Sequence, residues 1–256
     1  MEDYLMQINL TNKVAIITGA SKGIGESCAY MMGKAGAKVM LCSRNEASLA
    51  EVVGRFQAEG IEASYFTANT GKAEELQALV EFTISKFGGI DIIVNNAATN
   101  PIFGPIEDTD SRAFDKIMDV NVKGPFTLSN LVLPSMKERG GGSIINISSV
   151  EGTSPSEGLG IYSVSKAALI QLTKATALEW GKYNIRVNAV CPGLIQTKFS
   201  EALWSNDNIL KHALKRIPLN RVGQSEEISG LVTFLASDLA AYCTGSVMAA
   251  DGGYLV

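Results

Sequence analysis

Histidine is almost missing: His212 is the only one in 256 residues. That excludes metal sites built on several histidines and proton transfer between histidine pairs. Cysteine is sparse as well. Cys28, Cys42, Cys191 and Cys243 lie far apart with no CxxC pair, so neither a zinc cluster nor a disulfide framework is expected. Reduced thiols and a cytoplasmic location are the plain reading. Charged residues make up 19% and the net charge is −4, with no basic stretch to mark a nucleic-acid partner. No apolar run reaches the roughly 18–20 residues of a membrane span. The opening Met1-Glu2-Asp3-Tyr4 is acidic and lacks a cationic region before an apolar core, so no secretory signal is expected. Hydrophobic residues, at 46%, are too many for a disordered chain.

What is present is a regular alternation. Apolar, β-branched runs recur at Lys13–Thr18, Lys38–Cys42, Ala63–Thr67, Ile90–Asn95, Ser143–Ser148 and Arg186–Cys191. Between them lie segments with helical spacing, such as Leu49, Val52, Val53 and Phe56, or Leu76, Leu79, Val80 and Thr83. Short, near-continuously apolar strands are buried on both faces, and strand–helix–strand repetition implies a parallel sheet with right-handed crossovers. The expected fold class is α/β: one doubly wound Rossmann-type domain over residues 1–256, with helices on both faces of the sheet. His212 falls in a segment read as a small substrate lid around 194–216. Ligands of such sheets sit beyond the carboxyl ends of the strands, where the winding reverses.

The first strand ends in Thr18-Gly19-Ala20-Ser21-Lys22-Gly23-Ile24-Gly25 and leads into a helix. Gly19 permits a sharp turn, and Gly23 and Gly25 permit close backbone approach. Free N–H groups at a helix start then bind a phosphate. The same residues spell G-x-S-x-G, the nucleophile elbow of hydrolases, with Ser21 as nucleophile and His212 downstream. An elbow on the first strand, with no second glycine-rich loop upstream, is the weaker reading. A nucleotide-binding regulator without turnover is the other rival.

About 20 residues on, an NAD site calls for an acidic residue at the end of the second strand. Leu41-Cys42-Ser43-Arg44-Asn45 contains none. Ser43 and Arg44, with Lys22 nearby, suit a 2′-phosphate instead, so NADP(H) is the expected cofactor.

Tyr162-Ser163-Val164-Ser165-Lys166 places a phenol and an ammonium on one helical face. Tyr30 and Lys34 share that spacing but lie inside the first helix, away from the strand ends. Tyr162 follows Ser149, which follows the fifth apolar run, and Asn121 adds a third polar group. The ordered set Thr18–Gly25, Asn95-Asn96-Ala97-Ala98, Asn121, Ser149, Tyr162/Lys166 and Pro192-Gly193 resembles the short-chain dehydrogenase/reductase family over essentially the whole chain. Asn100-Pro101, the segment Gly193–Ser200 and Leu203-Trp204 look closest to its NADP-dependent dicarbonyl and retinal (carbonyl) reductase branch. That branch commonly ends in a peroxisomal tripeptide, which Tyr254-Leu255-Val256 does not match. Ala98 stands where the family usually has glycine, narrowing the pocket floor.

The resemblance implies an oxidoreductase passing hydride between nicotinamide and a carbonyl or secondary alcohol, with an NAD-dependent alcohol or sugar dehydrogenase as the alternative. It implies that Tyr162 exchanges the proton, Ser149 orients the substrate oxygen, Lys166 holds the nicotinamide ribose, and Asn121 positions a water. Pro192, Gly193 and Thr197 would close over the nicotinamide, and Asn69 and Asn96 would lie along the adenosine. Gly19, Ser21, Lys22, Gly23, Ile24, Gly25, Ser43, Arg44, Thr70, Ala97 and Ile195 complete the implied cofactor set. A free tyrosine has a pKa of about 10, and Lys166 with an oxidised nicotinamide is expected to lower it. Leu194, Phe199 and Trp204 would make an apolar substrate pocket beside Ser149. Glu151 and Glu157 are read first as solvated loop charge; facing the pocket, they would disfavour substrate carboxylates. The expected substrate is a neutral ketone, aldehyde or dicarbonyl. Small residues on Ile161–Trp180, among them Ala167, Ala168 and Ala175, suit subunit contact, so a homodimer or homotetramer is expected.

Overall fold

All six apolar runs form strands in the computed structural model, which describes residues 8–256 apart from the side chains at 208 and 209; the acidic opening Met1–Tyr4 lies outside that range. The first half runs β1 (Val14–Thr18), α1 (Gly23–Lys34), β2 (Lys38–Ser43), α2 (Glu46–Ala58), β3 (Ala63–Thr67), α3 (Ala73–Phe87) and β4 (Ile92–Asn95). Then follow α4 (Ser111–Met118), α5 (Gly124–Glu138), β5 (Gly142–Ile147), α6 (Gly160–Trp180) and β6 (Ile185–Pro192). The chain closes with α7 (Glu201–Trp204), α8 (Asp207–Leu214), α9 (Ser225–Ala236) and β7 (Val247–Ala250). The strands form one parallel sheet in the order β3-β2-β1-β4-β5-β6-β7, so the winding reverses between β1 and β4. The seventh strand was not expected from sequence. It is an edge strand whose residues alternate between exposed and half-buried, so it lacks the apolar continuity of the other six.

Alternation along β1 divides the core into two layers. Ala15 and Ile17 pack with α1, α2 and α9 on one face, while Ile16 packs with α3 and α5 on the other. Leu49, Val52, Val53 and Phe56 of α2 are all buried, as are Leu76, Leu79, Val80 and Thr83 of α3. Each such apolar side chain removed from water contributes roughly 1.5–3 kcal/mol. Asn45 caps α2 by accepting the Ser48 N–H at 2.9 Å, and Asp110 caps α4 by accepting that of Ala113 at 2.8 Å.

Two polar fastenings set the sheet. At the carboxyl ends, Asn95 donates to Asn146 Oδ1 at 2.8 Å and Asn146 donates to Thr173 Oγ1 at 2.9 Å, linking β4, β5 and α6. At the opposite edge, Asp91 accepts the Val14 N–H at 2.8 Å and two guanidinium bonds from Arg139, both 2.8 Å. Removing that buried carboxylate strands a guanidinium and a strand N–H, so Asp91→Ala is expected to cost about 3 kcal/mol in urea unfolding.

Candidate active site

The turn after β1 lies against the end of β4. Asn96 Nδ2 donates to Thr18 O at 2.9 Å and to Gly19 O at 3.3 Å. The backbone N–H groups of Asn96 and Ala97 donate to Thr18 Oγ1 at 3.0 and 3.1 Å. Gly19 has φ +66°, and a Cβ on Gly25 would come within 2.5 Å of Gly19 O and Asn96 Nδ2. The glycines are therefore required by packing at the switch point. Asn96 acts as the clasp of this turn and also lines the cavity.

From this turn a cavity of about 1650 Å3 runs across the strand ends. Gly19, Ser21, Lys22, Gly23 and Ile24 line one end, with Ser43, Arg44, Asn69 and Thr70 beside them. Lys22 and Arg44 are exposed, and no described residue forms an ion pair with either. Asn96, Ala97, Pro192, Gly193, Ile195 and Thr197 line the middle. Gly25 lies beneath the turn, outside the lining. Among the described residues no hydrogen bond joins Ser21 to His212, as a hydrolase relay would need.

Ser149, Tyr162 and Lys166 meet in the central part. Ser149 is the extended residue before a short turn, Val150–Gly152, and its Oγ accepts the Glu151 N–H at 3.1 Å. The Tyr162 phenol stands close enough for Ser149 to act on its ionisation. Lys166 is 2% exposed; its Nζ donates to Ile147 O at 2.8 Å and lies 5.6 Å from the centre of the Tyr162 ring. Burial pushes the Tyr162 phenol up, Ser149 pulls it down, and Glu151 and Cys191 push it further up. Burial also presses Lys166 down to about 8. The expected acidic phenol is thus not a property of this pair by itself, because desolvation outweighs the ammonium's pull. Tyr30 and Lys34 instead share Glu59 on the surface, at 2.8 Å each.

Asn121 is fully buried in a single π-helical turn, Asp119–Lys123, that joins α4 to α5. Its Oδ1 accepts from Thr99 N at 2.8 Å, and its Nδ2 donates to Thr99 O and Ser165 Oγ, both at 3.0 Å. The side chain ties the loop after β4 to α6 and does not reach the cavity. Such bulges are common beside functional sites.

The far end of the cavity departs from expectation. Leu194 and Phe199 line it, and the Phe199 ring stands 6.1 Å from that of Tyr162. Trp204 does not line it: the indole turns back and donates to Thr197 O at 3.0 Å, bracing the segment. Glu151 is not solvated. It is 9% exposed and accepts from Ser156 N, Ser156 Oγ and Ser163 Oγ at 2.7, 2.7 and 3.1 Å, whereas Glu157 is exposed. Sequence reasoning missed Phe103, Arg112, Arg216 and Tyr254, which complete the walls. Phe103 follows the Asn95–Ala98 motif closely enough to be found; Tyr254 arrives through the unexpected β7.

Residues 19–255 match the family model described as Enoyl-(Acyl carrier protein) reductase. A curated relative from Oryctolagus cuniculus, Dehydrogenase/reductase SDR family member 4, is 42% identical over 244 residues, covering 95% of this chain and 94% of that protein. A crystal structure of a short-chain type dehydrogenase/reductase from Mycobacterium marinum superposes with a TM-score of 0.91 at 35% identity, covering 97% of each chain. One of a gluconate 5-dehydrogenase from Burkholderia cenocepacia J2315 in complex with NADP and tartrate gives 0.92 at 32% identity, covering 96% of each.

Lys166 yields a pH prediction. Its folded pKa of about 8 lies below the ordinary 10.5, so between these values the folded state holds fewer protons than the unfolded state. Stability from this group therefore rises with pH across that window, by roughly 3 kcal/mol. Lys166→Met is expected to remove that rise, read as the parent-minus-variant difference in urea unfolding at pH 7, 9 and 10.

Proposed function

Because the chain belongs to the short-chain dehydrogenase/reductase family, we propose that it is an NADP(H)-dependent oxidoreductase acting on a carbonyl or secondary alcohol, with ketones, aldehydes or dicarbonyls as substrates. The observation that carries this reading is that Ser149, Tyr162 and Lys166 line one cavity that is continuous with the glycine turn. The bound nicotinamide supplies or accepts the hydride.

The residues present fit such a cofactor. The glycine turn leaves space where a Cβ would intrude, and it lines the cavity at the start of α1, where a helix N-terminus favours an anion. Lys22 and Arg44, without acidic partners, suit a 2′-phosphate, and the similar gluconate 5-dehydrogenase was crystallised with NADP. Ser149 orients the substrate oxygen, and Tyr162 gives it a proton in reduction or removes one in oxidation. Tyr162, held neutral by burial, would ionise more readily if an oxidised nicotinamide were bound in the cavity. Lys166, fixed on Ile147 O, stands to bond the ribose, and Asn121 is a positioning residue that fixes Thr99 and Ser165. The segment 194–216 is the lid in this reading, with Phe199 facing the phenol.

The same reading makes the protein a cytoplasmic homo-oligomer, dimer or tetramer. On α6 Leu169 and Ala177 belong to the monomer core, but Val164 is 49% exposed and Leu178 87%. Phe114 and Phe126 are also exposed. Leu178→Glu is expected to weaken assembly, seen as a smaller sedimenting species.

Tyr162→Phe is expected to lower turnover by about 10²–10⁴-fold while NADPH still binds. Arg44→Ala should weaken NADPH binding by about 10–100-fold and leave NADH nearly unchanged, by fluorescence titration. Equal affinity of the parent for both cofactors would refute the NADP assignment.

A further inference from the structure

Glu151 is the one carboxylate among the described residues that is both nearly buried, at 9% exposure, and part of the cavity wall. No described cation forms an ion pair with it. An unpaired buried carboxylate is costly unless donors surround it. Here three donors from two residues do so, and the two residues tie Glu151 to different parts of the site. Ser156 gives its N–H and its hydroxyl, both at 2.7 Å, from the loop before α6. Ser163, next to Tyr162, gives its hydroxyl at 3.1 Å. Ser156 Oγ is also 3.2 Å from Tyr254 Oη, and the Arg216 guanidinium stacks over the Tyr254 ring at 4.3 Å. Beneath this network the turn lies flat on the helix: a Cβ on Gly152 would come 2.7 Å from the Lys166 carbonyl carbon.

We propose that Glu151 is a positioning residue for the reaction. Its carboxylate latches the loop after β5 to the first turn of α6, which carries Tyr162. Through Ser156 it fixes Tyr254, and with it the substrate end of the cavity. The assignment rests on Tyr162 being the proton-exchanging group, as proposed above. It gives the carboxylate a second effect. The titratable groups facing the phenol are Glu151 from the turn after β5, Cys191 from β6 and Lys166 from its own helix. A negative charge at Glu151 disfavours the phenolate, so it holds the basic form of the site to higher pH.

The test compares Glu151→Gln, Glu151→Asp and Tyr254→Phe with the parent in alcohol oxidation, alongside NADPH affinity and melting temperature. In Glu151→Gln the midpoint of the rise of kcat with pH is expected to fall by about one unit. The alcohol KM should rise about tenfold, with NADPH affinity within about twofold of the parent. Tyr254→Phe keeps the charge and cuts only the last link, so KM should rise while the midpoint stays. Glu151→Asp should bring the midpoint back toward the parent. If Glu151→Gln lowers only the melting temperature, leaving KM and the midpoint unmoved, the residue is merely structural and the proposal is overturned. Full turnover in Tyr162→Phe would overturn both this proposal and the reading beneath it, whereas failure in Glu151→Gln alone overturns this one only.

Discussion

The carboxyl ends of β1 and β4 sit side by side at the point where the sheet reverses its winding, and one amide closes the gap between them. Asn96 spends its donor group on two backbone oxygens of the first turn, and its own N–H goes to Thr18. This clasp leaves no room for a side chain at Gly25 and forces Gly19 to a positive φ. The residues of the turn that follow, Ser21 to Ile24, line the cavity at the start of α1, while the Ala20 N–H is bonded to Cys42 O. Every other feature of the site is measured from that fixed edge: Ala97 follows the clasp directly, Thr99 is reached through Asn121, and Asn95 anchors β5 and α6 from the same strand end.

Burial governs the chemistry of the central pair more than their mutual charge does. Tyr162 and Lys166 are both removed from water, and each is pushed toward its neutral form. Lys166 keeps one strong acceptor, Ile147 O, while Ser149 pulls the phenol's pKa partway back down. Such a pair resists ionisation until another charge enters the cavity. A positive charge brought beside the phenol would offset what desolvation imposes.

Sequence carries the parts of this arrangement that are local. The glycine turn, Asn96, Ser149, Tyr162 and Lys166 all stand at strand ends or on one helical face, so spacing alone brings them near one another. Features made by distant segments are hidden. β7 pairs on one side only, and its half-exposed residues show no apolar run. Tyr254, just beyond it, was therefore unseen as a wall of the cavity. Trp204 was misplaced because an aromatic residue in a short helix has two directions to face, and its N–H found Thr197 O on the inner one. Glu151 was misjudged by residue type: glutamate in a loop is ordinarily solvated, and only the meeting of Ser156 and Ser163 around it makes burial tolerable.

The start of α6 explains why such a meeting is needed. Tyr162 sits in the first turn of that helix, where backbone N–H groups lack intrahelical partners and fraying begins. The residue before the helix, Leu159, offers no capping side chain. A polar cap commonly contributes about 1 kcal/mol, so this end is weak by local criteria. Farther along, the helix is held by its buried face, through Leu169, Ile170, Thr173 and Ala177. Back toward residue 162 the buried positions are polar or amphipathic, Tyr162, Ser163, Ser165 and Lys166. The order of the first turn therefore comes from tertiary bonds: Ser163 to Glu151, Ser165 to Asn121, and the Lys166 carbonyl to Ser148. Two segments, the stretch directly after β5 and the π-helical turn before α5, thus hold the start of the helix that carries the phenol, and its position depends on both folding together.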